Sequence, residues 1–174
     1  MKIDDLDKKL LALLTKDGRM SSSQLARIVG ASERTVVNRV NKLVQNDIIS
    51  ITGKIKRDYF GYDVMADIFC KVESTNLNEI ARKIAEFPEV SYVAISFGEQ
   101  DISLQVVAKS PAELYDFVTN RLLRLPGIER TNTVVVPTVV KDFNEWLPPE
   151  LKMVRDQLDA VQEAKNLKQD NDKD

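Results

Sequence analysis

The chain has 174 residues, with 25 Lys+Arg, 27 Asp+Glu, no histidine and one cysteine. This length suits two small domains. The missing histidines remove the common metal-ligand sets and Ser-His or Cys-His catalysis, and the single cysteine excludes an internal disulfide. The net charge of −2 conceals a split: residues 1–57 sum to +6 and residues 58–174 to −8. Such a distribution focuses phosphate attraction on one end of the molecule. No apolar run reaches the roughly 20 residues that span a bilayer, and the start, MKIDDLDKKLLALL, is too acidic for a signal peptide. A cytoplasmic protein with no cofactor and no membrane partner is expected.

In chain order, the first helix is predicted from Asp4 to Lys16. Leu6, Leu10, Leu13 and Leu14 give it one apolar face, and Asp17-Gly18 ends it. Ser21 and Gln24 then have the spacing of a capping box, followed by Leu25, Ile28 and Val29 at helical intervals. Gly30 stands where the chain must turn, and Ser32 caps a third helix with Glu33 and Thr35 in its first turn. Val36, Val40, Leu43 and Val44 form its inward stripe. Arg34, Thr35, Asn38, Asn41, Lys42 and Gln45 face the other way, with Arg39 at the margin. A solubilising face more often mixes signs in Glu/Lys pairs, whereas this one is rich in donors suited to base edges and phosphates. Two short helices with a tight turn between them predict a helix-turn-helix.

Ile48, Ile49 and Ile51, then Thr52-Gly53 and Ile55, read as a small hairpin, the wing of a winged helix-turn-helix. Lys54, Lys56 and Arg57 cluster there. They suit phosphate contact, and equally the charged blunting of an exposed strand edge. From Val64 the pattern becomes strand, helix, strand, strand, helix, strand. The strands are Ala66–Val72, Val90–Phe97, Ile102–Val106 and Thr131–Val140. The helices are capped near Asn76 and at Ser110-Pro111, and end at Pro88 and Pro126-Gly127. Cys70 falls within the first strand and reads as a buried structural thiol.

The order βαββαβ is the ferredoxin-like arrangement, two helices on one face of a four-stranded antiparallel sheet. Val134, Val135, Val136, Val139 and Val140 make the last strand apolar on both faces, so its second face needs a cover, from another copy or from the C-terminal tail. In the tail, Leu151, Val154, Leu158 and Val161 recur as a short helical stripe, and the terminal NLKQDNDKD reads as disordered. The fold class is therefore α+β: a winged helix-turn-helix (1–50), a wing or linker strand (51–63), a ferredoxin-like domain (64–142) and a C-terminal extension (143–174).

The stretches DDLDKKLLALLTKDGRMSSSQLARIVGASERTVVNRVNKLVQNDIIS, SFGEQDISLQ and LLRLPGIERTNTVVV, with Gly61 between, resemble the Lrp/AsnC family of transcription regulators over about residues 3–142. The resemblance implies a homo-oligomer, with dimers formed through the sheets and octamers or other higher rings built from them. It also implies an amino-acid effector bound between dimers near a G-x-aromatic-D turn. Carried onto this chain, that site comprises Gly98, Glu99, Gln100, Asp101, Thr131 and Thr133. Gln100 stands where the family often has an aromatic. The other reading of the turn is structural, with glycine permitting it and aspartate bonding backbone amides.

The expected function is a sequence-specific regulator of double-stranded DNA, without catalysis. Ser32 and Glu33 open the reading helix; Arg34, Thr35 and Asn38 are candidates for base edges; Arg39, Lys42, Lys54 and Lys56 are candidates for phosphate. A DNA-compacting architectural protein is the alternative, and a small enzyme on the ferredoxin-like sheet a remote third.

Overall fold

The computed structural model describes residues 1–73 and 76–171. The chain forms two compact units, one from residues 1–54 and 142–174, the other from 55–141. We call them the head and the body.

The head holds α1 (Asp5–Lys16), α2 (Ser22–Val29), α3 (Glu33–Gln45) and α6 (Pro149–Asn171). Each of the first three starts on a side-chain cap. The Asp4, Ser21 and Ser32 side chains accept from the backbone N–H groups of Asp7, Gln24 and Thr35, and the first two complete reciprocal capping boxes. Gly30 closes α2 at φ +71°, with its N–H bonded to the Ala26 carbonyl. Only this left-handed step lets α3 begin three residues later. Leu10, Leu13, Leu14, Leu25, Val36 and Leu43 form the core beneath the three helices.

The expected wing hairpin does not form: residues 49–56 pair in no ladder. A lone two-stranded ribbon is marginal in water, and here the segment instead lays Ile48 and Ile49 against the head core while Ile55 stays exposed. Val44, assigned to the inward stripe, is also exposed.

The body is the βαββαβ unit: β1 (Val64–Val72), α4 (Leu77–Ala85), β2 (Val90–Ile95), β3 (Ile102–Ala108), α5 (Pro111–Asp116) and β4 (Ile128–Val135). The antiparallel sheet has the order β2-β3-β1-β4. Alternation along β1 from Ala66 onward and along all of β3 turns Ala66, Ile68, Cys70, Val72, Ile102, Leu104, Val106 and Ala108 toward the helices. There they meet Ile80, Ile84, Leu114, Phe117 and Leu122. α5 passes into a π-helical turn at Phe117–Arg121, where Arg121 lies 4.7 Å from the Phe87 ring centroid and pairs with Glu89. Burial pushes the Cys70 thiol up to about 12, which makes it the inert core group expected.

β4 ends at Val135, not at Val140: the Val136 N–H still reaches the Met65 carbonyl, but Pro137 follows and has no donor to continue a ladder. The terminal segment also departs from expectation. Residues 166–171, read as disordered, continue α6, whose Glu, Ala, Lys and Gln content favours helix. Residues 172–174 of that expectation lie outside the described residues.

Gly30 carries a direct prediction. A Cβ there meets open space, so Gly30→Ala costs only the left-handed strain, about 1–2 kcal/mol. Urea unfolding monitored on the head is expected to register this loss, with the body's transition unchanged.

Candidate nucleic-acid interface and effector turn

α3 is amphipathic in the sense that a reading helix requires. Val36 and Leu43 are fully buried, and the opposite side exposes Arg34, Asn38, Asn41, Lys42 and Gln45. Arg34, Asn38 and Lys42 are spaced four apart and so share one stripe. Ser32 and Thr35 are tied to each other at 2.7 Å, and the Thr35 N–H donates to Ser32 Oγ at 3.1 Å. Ser32 is therefore committed to shaping the helix start. Glu33 and Thr35 stay exposed beside it.

Two of the expected phosphate contacts have other partners. Arg39 Nη1 donates to Asp4 Oδ2 at 2.6 Å and to both Asp7 oxygens at 3.1 and 3.2 Å. Asp7 is 0% exposed, so its carboxylate requires this cation. Arg39 thus joins the reading helix to α1, at the margin where the helical wheel put it. The Asp7 backbone N–H, chiefly, and Arg39 hold the Asp4 carboxyl below its ordinary range, and Asp4 in turn raises Arg39. Lys54 Nζ pairs with Asp142 at 2.5 Å, closing the two ends of the head's discontinuous chain. Lys42 and Lys56 are exposed, the latter in the body. Asp4, Asp7 and Asp142 escaped the sequence reading because partners this distant leave no local pattern.

Gly98, Glu99, Gln100 and Asp101 lie in the β2–β3 connection at one end of the body's sheet. Gly98 sits at φ +141° in the β2–β3 connection with open space around it, next to a fully exposed Phe97. Asp101 is held from three sides. Its N–H donates to the Cys70 carbonyl at 2.9 Å, its Oδ2 accepts the Val72 N–H at 2.9 Å, and Lys71 Nζ lies 3.1 Å from the same oxygen. These donors, the Val72 N–H first, depress its pKa. Asp101 thus already meets a cation of the chain's own, Lys71, and backbone donors, as the structural reading of the turn requires. Thr131 and Thr133 lie on β4 opposite Cys70 and Ile68, so β1 separates them from the turn by about two strand spacings, roughly 10 Å. Glu99 is exposed, whereas Gln100 is half-buried. Its Oε1 is buried without a hydrogen-bond partner among the described residues.

Residues 3–44 match the AsnC-type helix-turn-helix domain, and residues 64–146 match the Lrp/AsnC ligand binding domain. The chain belongs to the Lrp/AsnC family. An HTH-type transcriptional regulator of Pyrococcus furiosus is 40% identical over 140 residues, covering 80% of this chain and 95% of the relative. A second from that organism, HTH-type transcriptional regulator FL11, is 30% identical over 144 residues, covering 82% and 95%. Among solved structures, Escherichia coli AsnC is similar at TM-score 0.76 and 25% identity, over 83% of this chain and 99% of that one. A Neisseria meningitidis transcriptional regulator, solved as its L-Met complex, has the same fold at TM-score 0.79 and 22% identity, over 86% and 99%. This Lrp/AsnC chain is accordingly a DNA-binding transcription regulator and not an enzyme, built as a helix-turn-helix head with a ligand-binding body. Among the described residues no helix is long and apolar enough to cross a membrane.

Asp101 provides a pH test. Its folded pKa lies below the unfolded value, so its stabilising contribution is complete above the ordinary carboxylate range. It fades as pH falls through the depressed folded value. Asp101→Asn is expected to lower the body's thermal midpoint at neutral pH and to flatten the acid limb of its stability profile, read by thermal unfolding from neutral pH downward.

Proposed function

We propose that α3 reads base edges in the major groove through Arg34, Thr35 and Asn38. Lys42 and Lys56 contact phosphate, Ser32 and Glu33 set the helix start, and Arg39 and Lys54 act through their ion pairs by holding the head in shape. The observation that carries this reading is the donor-rich stripe of α3, exposed along a helix whose other side is fully buried. Arginine bonds guanine bidentately and asparagine does the same with adenine, which gives sequence preference beyond phosphate attraction. The protein works in the cytoplasm on double-stranded DNA, as a dimer whose paired heads match a pseudo-palindromic site.

Dimers form through the second face of the sheet, where Tyr92 (58% exposed) and Val134 (47% exposed) supply unpaired apolar surface, and they assemble further into octamers or similar rings. An amino acid binds between dimers at the turn of Gly98, Glu99 and Gln100, beside Thr131 and Thr133. The Gln100 Oε1, buried with no hydrogen-bond partner among the described residues, favours this, since turning the side chain outward lets it accept from a ligand N–H while Asp101 stays with Lys71. The L-Met complex of the Neisseria regulator supports an amino-acid ligand. Such a ligand controls the regulator by binding one assembly better than another.

Site selection followed by binding titrations tests the interface. Arg34→Ala is expected to cost about 1–3 kcal/mol on the selected site and little on random DNA. Lys42→Ala weakens both and reduces the salt slope by about 1. Equal losses for Arg34→Ala on both DNAs would return the assignment to non-specific compaction. For the effector, one amino acid of a full panel is expected to change the mass in solution. Gln100→Ala should abolish that change while leaving DNA binding without ligand intact.

A further inference from the structure

α1 is buried more completely than a three-helix head explains. Its apolar stripe, Leu6, Leu10, Leu13 and Leu14, accounts for one face only. Leu11 is 4% exposed and Ala12 0%, and these two point to the sides away from that stripe. Five consecutive residues, Leu10 to Leu14, are thus sealed over more than a full turn. A helix apolar all round needs cover on both sides.

The second cover is α6. Leu151 and Leu158, seven residues and two turns apart, pack against the cluster that contains Leu10, Leu11, Leu13 and Leu14. Lys16 Nζ lies 2.7 Å from Asp159 Oδ1, one residue beyond Leu158. Lys16 is one turn beyond the fully buried Ala12, on the same side of α1. The ion pair is half-exposed at both ends, and such pairs contribute little. The leucine contacts carry the docking. The Lys54–Asp142 pair holds the returning chain close to where the first segment of the head leaves it. The match to the Lrp/AsnC ligand binding domain ends at residue 146, three residues before α6 begins.

We propose that α6 is an intrachain strap: the chain's own C-terminal helix docks on α1, completes a four-helix head and sets that head's stability. The strap leaves the donor stripe of α3 exposed, so it braces the reading helix without blocking it. The DNA consequence rests on the proposed interface, whereas the stability consequence does not.

The test compares the full chain with a version ending at Trp146, by amide hydrogen exchange and thermal unfolding, with DNA binding measured alongside. Truncation is expected to raise exchange at the Leu10–Leu14 amides by about tenfold or more, to lower the head's midpoint and to weaken DNA binding. The body's sheet amides should stay protected. Should the truncated head fail to fold, Leu158→Asp in the full chain gives the same readout in milder form. Met153→Asp, on the exposed side of α6, should leave it unchanged. Unaltered α1 protection in both the truncated chain and Leu158→Asp would overturn the strap. So would recovery of protection when a labelled truncated chain is mixed with unlabelled full chain, because docking would then occur between copies. Loss of α1 protection in a protein whose full chain binds no DNA would retain the strap and reject the interface instead.

Discussion

The carboxylate of Asp7 is the point on which the reading surface depends. It is wholly shielded from water, and burying a lone carboxylate costs several kcal/mol unless a cation and hydrogen bonds accompany it. Arg39 provides the cation from the middle of α3, and the Asp4 backbone N–H provides a further hydrogen bond. Two helices that need only pack loosely through valine and leucine are thereby fixed in rotation and register. The stripe of Arg34, Asn38 and Lys42 faces outward because Arg39 faces in. Apolar burial makes the head fold, and this pair decides which side of α3 is presented.

The body applies the same logic to a turn. A β2–β3 connection containing Gly98 could adopt many conformations, since glycine there tolerates a φ that other residues resist. Asp101 narrows the choice by gripping the end of β1 through the Val72 and Lys71 donors. The consequence is that a residue family resemblance marked for ligand contact works as the anchor of the loop. Within this turn, Gln100 is left with a buried acceptor that has no partner among the described residues. An amide in place of an aromatic exchanges a stacking surface for a directional acceptor, which alters what the turn can recognise.

The elements legible in the sequence were those written in local chemistry. A capping box at Ser21, Gly30 in the turn, period-two alternation in Ile102–Val106 and Ser110-Pro111 at a helix start each impose their geometry within a few residues, and all appear where expected. Misreadings arose where distant partners decide. The isoleucines at 48–55 have strand character, yet the nearby core absorbed two of them before any ladder formed. Arg39 and Lys54 were read as free cations, and their aspartates lie 32–35 and 88 residues away. The uninterrupted Leu-Leu-Ala-Leu-Leu of α1 was the one overlooked local signal. A helix with a single covered face has no use for apolar residues at five successive positions, and the second cover lies at the far end of the chain.

The solitary thiol gives the molecule a built-in reporter. Cys70 lies on the inner strand β1, between Ile102 and Thr131 across the ladders and packed beneath the helices, and burial keeps it protonated. A thiol-specific reagent can reach it only after the helices part from the sheet, so labelling speed measures the opening of the ligand-binding unit alone. The helical unit contains no sulfhydryl and is invisible to that chemistry. The opening of the ligand-binding unit can therefore be timed without introducing a foreign probe.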